Sequence, residues 1–381
     1  MAAALQLLLD PQVLTRTVSQ VAASSDWLQT LFGLQPGGPN CVHEGHGRDG
    51  AFHIYDNVRK VAKGRAPGTA AGRRAANPMG RVQFTYPRMH DSVSLSAEVL
   101  HNLGKINDPA VRDKAGAEMI SRQTNTLGQL ASNWRKAMLV GMLRDSLYVG
   151  VSGDDEYFTY TDPSSAGYRI NFQMPAGNKT KLDMLGGGDI ITTTWASDST
   201  DIPLQLGNIN AAFQQLCGGH LGAIVTNWGV WNSVIQNAFV QAMHGTSNPP
   251  FVSLEHEYDS ALGKTMKNVF RAKLNVLPNV TWYITDEGLE VGAPGSETYT
   301  KIIEANKALF IGFEPGDNVL TCYEGSEPIA EHDAGPEDVK VGMAAWSVKR
   351  SNPTSTDLFV LDNALVVNHI PKSVAYGTVV F

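Results

Sequence analysis

The stretch CVHEGHGRDGAFH, residues 41–53, holds side-chain types that bind zinc. Its candidate ligands are Cys41, His43, Glu44, His46 and His53. A tetrahedral zinc site takes its ligands from two clusters or from a fixed spacing on a helix, and the sequence shows neither arrangement. We therefore predict a polar loop here and no metal site.

A second candidate is the triplet Gly263-Lys264-Thr265, which ends like a phosphate-binding loop. Such a loop needs an earlier glycine, because its backbone N–H groups must surround the phosphate. Tyr258 occupies that position, and no apolar strand precedes it. The pattern favours a solvated turn over a nucleotide site.

The stretch SLEHEYDS could supply a general acid and a general base. Its candidates are Glu255, His256, Glu257 and Asp259. Consecutive polar side chains cannot all face one cleft, so we predict a solvated acidic loop. The sequence contains neither a G-x-S-x-G nucleophile motif nor an H-E-x-x-H metal motif. We therefore predict no catalytic residue, no cofactor and no enzymatic activity.

Composition narrows the class of protein further. With 381 residues, 43% of them hydrophobic, and a net charge of −7, the chain can bury a core and does not coat nucleic acid through its overall charge. The apolar start MAAALQLLL has no basic leader and stops at Asp10, which predicts neither an export signal nor a membrane span. Cys41, Cys217 and Cys322 lie far apart, which favours a reducing compartment and cytoplasmic synthesis over a disulfide framework.

A basic segment stands out against this acidic background. It contains eight basic residues and no acidic residue between Asp56 and Asp91. The basic residues are Arg59, Lys60, Lys63, Arg65, Arg73, Arg74, Arg81 and Arg88. Its centre, rich in glycine and arginine, cannot build a core, and Val82, Phe84 and Tyr86 then alternate as the returning strand of a long hairpin would.

Apolar periodicity and helix-capping residues predict the helices and strands around this hairpin. Ser25 or Asp26 caps a short helix, and a long spine helix covers about residues 110–148. Residues 149–200 read as a loop-rich insertion or edge sheet, with strand candidates YFTYT, YRINFQM and IITTTW. A helix, the strand GAIVT and the helix NWGVWNSVIQNAFVQAM follow, then the strands NVTWYIT and KALFIGF. The C-terminal tail is predicted to form strands up to TVVF. We also predict that four tryptophans pack in the core: Trp134, Trp228, Trp231 and Trp282.

This order of parts resembles the major capsid proteins of tailed bacteriophages, in particular the lambda-like capsid protein E family. Two stretches carry the resemblance, FHIYDNVRKVAKGRAPGTAAGRR and NPTSTDLFVLDNALVVNHIPKSVAYGTVVF, and it covers most of residues 50–381. It implies an α+β fold of the Hong Kong 97 type. The implied segments are an N-terminal arm (1–58), an extended loop or basic hairpin (59–100), a peripheral domain with the spine helix and the loop-rich insertion (101–200), an axial domain (201–340) and C-terminal strands that return to the peripheral domain (341–381).

The resemblance also implies a function: self-assembly into hexamers and pentamers of an icosahedral head shell around double-stranded DNA. The implied partners are further copies of the chain, scaffold, portal and cementing proteins, and packaged DNA contacted non-specifically, in a virion made in the host cytoplasm. Physical chemistry agrees, because ordering the hairpin backbone costs about 1–2 kcal/mol per residue, which a neighbouring copy would offset. We predict that all eight basic residues make inter-subunit contacts with acidic stretches such as GDDEYF and EHDAGPED.

Two alternatives stay open, an encapsulin-like compartment shell and a metal- or nucleotide-dependent enzyme. Some proteins of this fold class also join a loop lysine to a neighbour's asparagine. The candidates for that bond are Lys60 or Lys63 with Asn352, Asn363 or Asn368. The lambda-like branch uses a cementing protein in its place, so we predict no such crosslink.

Overall fold

A computed structural model describes residues 9–43, 49–55, 79–96, 109–163, 167–244, 252–259, 264–274, 279–328, 339–351 and 354–381. Its α-helices are α1 (Pro11–Ser25), α2 (Trp27–Phe32), α3 (Pro109–Arg144), α4 (Ile202–Leu216), α5 (Trp228–Gln236) and α6 (Ala238–His244). Its strands are β1 (Cys41–His43), β2 (Asp49–Tyr55), β3 (Met79–Thr85), β4 (Arg88–Ser96), β5 (Leu147–Ser152), β6 (Asp155–Thr159), β7 (Gly167–Ile170), β8 (Lys179–Thr180), β9 (Ala223–Thr226), β10 (Val252–Asp259), β11 (Lys264–Leu274), β12 (Thr281–Ile284), β13 (Gly288–Val291), β14 (Thr298–Lys301), β15 (Lys307–Ile311), β16 (Leu320–Glu324), β17 (Ser326–Pro328), β18 (Val339–Val341), β19 (Met343–Ser351), β20 (Thr354–Asn368) and β21 (Val374–Thr378).

The spine helix α3 is the longest element. Its 36 residues span about 54 Å at 1.5 Å per residue. It ends at Arg144 because Asp145 adopts the left-handed conformation, with φ of 51°. The predicted spine helix is thus confirmed, and it stops four residues before the predicted end.

The N-terminal segment lies along α3. Leu14 and Val18 of α1 are buried in one core cluster with Ile120 and Leu127 of α3. The two helices approach so closely that a Cβ at Gly128 would lie 2.8 Å from Cβ of Val21. Asp26 caps α2 by accepting hydrogen bonds from the next N–H groups, which confirms it as the predicted cap.

Within the described ranges, five strands form a sheet in the order β1-β16-β20-β19, with β4 also paired to β20. β20 is 15 residues long. Its first part lies between β19 and β4, and its last part pairs with β16. β1 runs parallel to β16, which attaches the N-terminal segment to the same sheet.

Seven of the described strands form a second sheet, in the order β10-β11-β12-β9-β15-β21-β8. Alternate side chains of its central strands enter two different cores, as the period of two requires. In β15, Leu309 and Ile311 pack toward α3, whereas Phe310 packs with the cluster that contains α4 and α5. The predicted strands GAIVT, NVTWYIT and KALFIGF are confirmed as β9, β12 and β15, and the tail ends in β21 of this sheet.

The structure corrects three local predictions. IITTTW forms no strand, and its Ile191 and Trp195 are buried from an irregular segment in the core that contains α4. The predicted single helix after β9 is broken at Asn237, whose extended backbone and side-chain oxygen cap α6. The stretch SLEHEYDS was predicted to be a loop, but its residues 253–259 lie in β10, which pairs with β11.

A fourth prediction, the polar loop at residues 41–53, is wrong where the structure describes it, because Cys41–His43 form β1 and residues 49–53 lie in β2. Residues 44–48 lie outside the described residues. Lys264 and Thr265 open β11 opposite β10, which excludes the helix that must follow a phosphate loop, and Gly263 lies outside the described residues. YFTYT and YRINFQM supply β6 and β7, which flank β5. Trp231 and Trp282 are fully buried, while Trp134 and Trp228 pack against the cores. Within the described part of the chain, no helix is both long enough and apolar enough to cross a membrane.

Candidate assembly surface

A two-stranded ribbon borders residues 56–78, which lie outside the described residues and hold six of the eight basic residues. β2 and β3 pair antiparallel from Asp49 opposite Thr85 to Tyr55 opposite Met79. The two residues that border this part of the basic segment, Tyr55 and Met79, are therefore partners in the ribbon. The hairpin predicted from the alternation of Val82, Phe84 and Tyr86 is confirmed at its base.

Six of the eight predicted contact residues, Arg59, Lys60, Lys63, Arg65, Arg73 and Arg74, lie outside the described residues. Arg81 is exposed on β3, opposite His53. Arg88 is half-buried at the start of β4, and its backbone N–H donates to Oε2 of Glu156 at 3.0 Å. The role of all eight residues stays a prediction.

Aromatic packing and backbone hydrogen bonds attach the ribbon firmly to the protein. The Phe52 and Phe84 ring centroids are 5.8 Å apart, and Phe84 meets the buried Tyr86 edge-on at 4.8 Å. The Tyr55 N–H donates to the His369 carbonyl at 2.8 Å, and Nδ1 of His369 donates to the His53 carbonyl at 2.7 Å. These contacts hold the ribbon against the end of β20.

GDDEYF, one of the two acidic stretches predicted to contact the basic segment, contains exposed carboxylates. Asp154 and Asp155 lie at the turn between β5 and β6, where Gly153 has a φ of +64° that favours glycine. The second stretch, residues 331–338, lies outside the described residues. The β5–β6 turn therefore presents two exposed carboxylates.

Apolar side chains form a second exposed surface around α4 and α6. Leu204 and Leu185 are 60% and 49% exposed, and both line a groove of about 550 Å³ beside α4. Phe239 and Met243 are 40% and 60% exposed, and their spacing places them on one face of α6. Clustered exposed apolar side chains mark contact surfaces in soluble proteins.

Arg135 of α3 is the centre of a buried charge network. Its Nε and Nη2 atoms donate to the two carboxylate oxygens of Asp362 at 2.7 Å each, and Nη2 also donates to Oε1 of Glu324 at 2.7 Å. Burial raises the pKa of Asp362, and the guanidinium opposes that shift. The network joins the spine helix to β16 and β20.

Lys136, the next residue of α3, binds two other segments. Its Nζ lies 2.8 Å from Oδ1 of Asp26 and 2.6 Å from Oε1 of Glu287. Trp27 Nε1 donates to the other oxygen of Glu287 at 2.9 Å. Burial lowers the pKa of Lys136, but the two carboxylates outweigh burial and raise it. The ammonium group thus holds α2 and the turn before β13 on the spine.

A group of sulfur and charged side chains surrounds the junction of β1 and β16. Cys41, Cys322 and Glu324 offer ligand atoms within 4.8 Å of one another. Nδ1 of His43 lies 2.7 Å from Oε2 of Glu324, and Nη1 of Arg135 lies 3.8 Å from Sγ of Cys322. The Arg135 guanidinium therefore already contacts two of the three candidate ligands, Cys322 and Glu324.

Cys41 and His43 were candidate zinc ligands from the sequence, which showed no second cluster of ligands near them. The structure brings Cys322 and Glu324 to them through the parallel pairing of β1 with β16. His53 is exposed on β2, away from that group, and Glu44 and His46 lie outside the described residues. A pairing between distant strands has no signal in a single sequence.

We expect the folded chain to lose stability in alkaline solution. Burial raises the pKa of Tyr376 to about 12, against the Arg144 guanidinium 5.4 Å from its ring centroid. Above about pH 10 the unfolded tyrosine loses a proton that the folded one keeps, so stability is lost as pH rises toward about 12. Each such group contributes about 1.4 kcal/mol per pH unit in that window. Urea midpoints over this pH range, for wild type and Tyr376→Phe, measure the slope.

The Tyr376→Phe variant should show a shallower decline, whereas Tyr299→Phe, at a position 61% exposed, should leave the slope unchanged. Equal slopes for wild type and Tyr376→Phe would contradict the assignment.

The fold has counterparts among solved structures. The proposed capsid protein of a prophage in Escherichia coli CFT073 matches with a TM-score of 0.55 and 12% identity, covering 100% of this chain and 99% of that one. A phage-related protein from Bordetella bronchiseptica RB50 has a TM-score of 0.45 at 10% identity, covering 95% and 96% of the two chains. A virus-like particle from Pyrococcus furiosus has a TM-score of 0.43 at 9% identity, covering 96% and 98%.

No family model matches the sequence, and no curated protein matches it. The match that spans the whole chain establishes the fold: α+β, of the Hong Kong 97 type found in phage capsid proteins. The fold class predicted from the sequence is therefore confirmed.

Proposed function

We propose that this chain is the major capsid protein of a tailed bacteriophage and that it assembles into hexamers and pentamers of an icosahedral head shell. The observation that carries the proposal is the fold match, over the whole chain, to the proposed prophage capsid protein. Its partners are then further copies of the chain, with scaffold, portal and cementing proteins and packaged double-stranded DNA. Its location is the virion, and its synthesis takes place in the host cytoplasm.

The basic segment has a place in this proposal. The ribbon of β2 and β3 borders residues 56–78 of this segment, and the cations of the segment would meet the exposed Asp154 and Asp155 of an adjacent copy. Exposed ion pairs are worth little singly, often below about 1 kcal/mol, but they orient docking. Many equivalent contacts acting together make a stable shell from modest interfaces.

The exposed apolar surface supports the same proposal. Leu204, Phe239 and Met243 would be covered by neighbouring copies around the axis of a hexamer or pentamer, which agrees with the proposed axial domain of residues 201–340. The other proposed segments are the arm (1–58), the extended loop (59–100), the peripheral domain (101–200) and the returning strands (341–381).

We propose a shell without isopeptide crosslinks. Asn363 and Asn368 are only 1% and 3% exposed within β20, so a lysine of another chain could not reach their side chains. Asn352, Lys60 and Lys63 lie outside the described residues. A denaturing gel of assembled particles should show one band and no ladder of multiples.

Electron microscopy tests the proposal. We expect the purified full-length protein, expressed alone and with a scaffold protein from a tailed phage, to form closed particles of uniform diameter with five-fold vertices. Particles recovered from a natural host should contain double-stranded DNA. Particles loaded with an enzyme in place of DNA would support the encapsulin-like alternative, and the absence of particles under both conditions would contradict the shell assignment.

A further inference from the structure

Two cysteines from opposite ends of the chain lie side by side. β1 runs parallel to β16 with Cys41 in register with Cys322, and the Cys322 N–H donates to the Asn40 carbonyl at 2.8 Å. Neighbouring strands lie about 4.8 Å apart, which is within the Cα separations that a disulfide spans. The two Sγ atoms lie within 4.8 Å of each other, and none of Cys41, Cys217 and Cys322 forms a disulfide.

The two thiols differ in access. Cys322 is fully buried, whereas Cys41 is half-buried at the edge of the five-stranded sheet. A reagent in solution therefore meets Cys41 first. Sγ of Cys41 donates to the Gln35 carbonyl at 3.1 Å, so the thiol must give up this contact when it reacts.

Charged side chains surround the two thiols. Nη1 of Arg135 lies 3.8 Å from Sγ of Cys322, and a carboxylate oxygen of Glu324 lies within 4.8 Å of both sulfur atoms. Nδ1 of His43 lies 2.7 Å from Glu324. A guanidinium beside the pair favours the thiolate form that takes part in exchange. The half-buried thiol of Cys41 is thus backed by the fully buried thiol of Cys322.

We propose that Cys41 and Cys322 form a redox-active dithiol that reacts with low-molecular-weight disulfides and closes into an intramolecular bond. The Cys41 thiolate attacks one sulfur of the small disulfide, forms a mixed disulfide and releases one thiolate. Cys322 then loses its proton and attacks Sγ of Cys41, which releases the second small thiol. The two cysteines are oxidised, one small disulfide is reduced to two thiols, and atoms and electrons balance.

The bond would join β1, and the N-terminal segment before it, covalently to β16 in the middle of the sheet. A crosslink between residues this far apart restricts the unfolded chain strongly, so the oxidised protein should melt at a higher temperature. If the chain forms the shell proposed above, the pair stays reduced in the cytoplasm and oxidises after release. That last step alone rests on the proposed function.

The test uses purified full-length protein, as monomer or as particle, first reduced and then equilibrated with oxidised glutathione. The readouts are the number of thiols that an alkylating reagent labels after denaturation, and peptide mapping. We expect wild type and Cys217→Ser each to lose two labelled thiols and to give a peptide that links residues 41 and 322. The melting temperature should rise by several degrees and return on reduction.

Two variants separate the steps. Cys322→Ser should stop at a mixed disulfide with one glutathione on Cys41, and Cys41→Ser should leave Cys322 unmodified in the folded protein. Wild type that keeps all three thiols, or a crosslink that includes Cys217, would overturn the proposal. Stoichiometric zinc in the protein as purified, with both thiols protected until a chelator is added, would also overturn it. Every readout is independent of whether particles form.

Discussion

Replacing Arg135 by methionine is expected to lower the free energy of unfolding by about 3–5 kcal/mol. The Arg135 guanidinium donates two hydrogen bonds to the fully buried carboxylate of Asp362. It donates a third to Glu324. Methionine fills a similar volume but leaves the buried Asp362 without its cation and leaves Glu324 with only the His43 imidazole, and that loss dominates. Guanidinium denaturation followed by tryptophan fluorescence measures the change.

Arg122→Met is the matched control, because Arg122 is exposed on the same helix and should change stability by less than about 0.5 kcal/mol. Adding Asp362→Leu to Arg135→Met should recover part of the loss, since the double variant removes the unpaired charge. A single variant as stable as the Arg122→Met control would show that the network does not hold the spine to β20.

The stability of the Arg135→Met variant should also depend on pH. Burial already raises the pKa of Asp362, and removal of the opposing guanidinium would raise it further. The folded variant would then hold a proton that the unfolded chain releases, so its stability falls as pH rises through that window. We expect the deficit to be smaller in mildly acidic buffer than at neutral pH.

Reversing two charges of the basic segment should have the largest effect on assembly. In Arg73→Glu combined with Arg74→Glu, cations proposed to meet carboxylates of another copy become anions, and like charges at an interface cost several kcal/mol. We expect at least about a tenfold loss of assembled protein, because each 1.4 kcal/mol is worth a factor of about ten. The assembled fraction is measured by size-exclusion chromatography with light scattering.

The charge-retaining variant Arg73→Lys with Arg74→Lys is the control, and it should assemble as wild type does. Assembly of wild type should weaken from low to high salt, because the screening length falls from about 10 Å at 0.1 M to about 3 Å at 1 M. Circular dichroism checks that the reversed variant folds. Equal assembly at all salt concentrations and after charge reversal would contradict the role of the basic segment.

Local patterns in the sequence predicted much of this fold. The helical spacing of Ile120, Leu127 and Met138 predicted the spine helix, since one apolar face must be buried. Asp26 predicted a helix start because its short side chain caps backbone N–H groups. Each of these signals lies within a few residues of the feature that it predicts.

Features set by distant contacts escaped prediction. Residues 253–259 of the polar run SLEHEYDS were predicted to be a loop, yet they form part of β10 because β11 pairs with them. Trp195 follows a run of threonines, and it is buried because the core of α4 receives it. The pairing of Cys41 with Cys322 depends on a parallel register between segments at opposite ends of the chain.

One signal for the buried network was present in the sequence. Arg135 stands four residues after Ala131 and three before Met138, on the apolar face of the predicted helix. A cation there must find acidic partners inside the protein. No local pattern singles out Asp362 and Glu324 among the 37 acidic residues of the chain.

Sedimentation velocity of the purified full-length protein, alone and with scaffold protein, at low salt tests the central claim most directly. The claim is that sister copies complete the surface that one chain leaves uncovered. We expect capsomers and megadalton particles in place of the 41.1 kDa monomer, with a single sharp boundary for closed shells. A stable, compact 41.1 kDa monomer at all concentrations, both alone and with scaffold protein, would contradict the account.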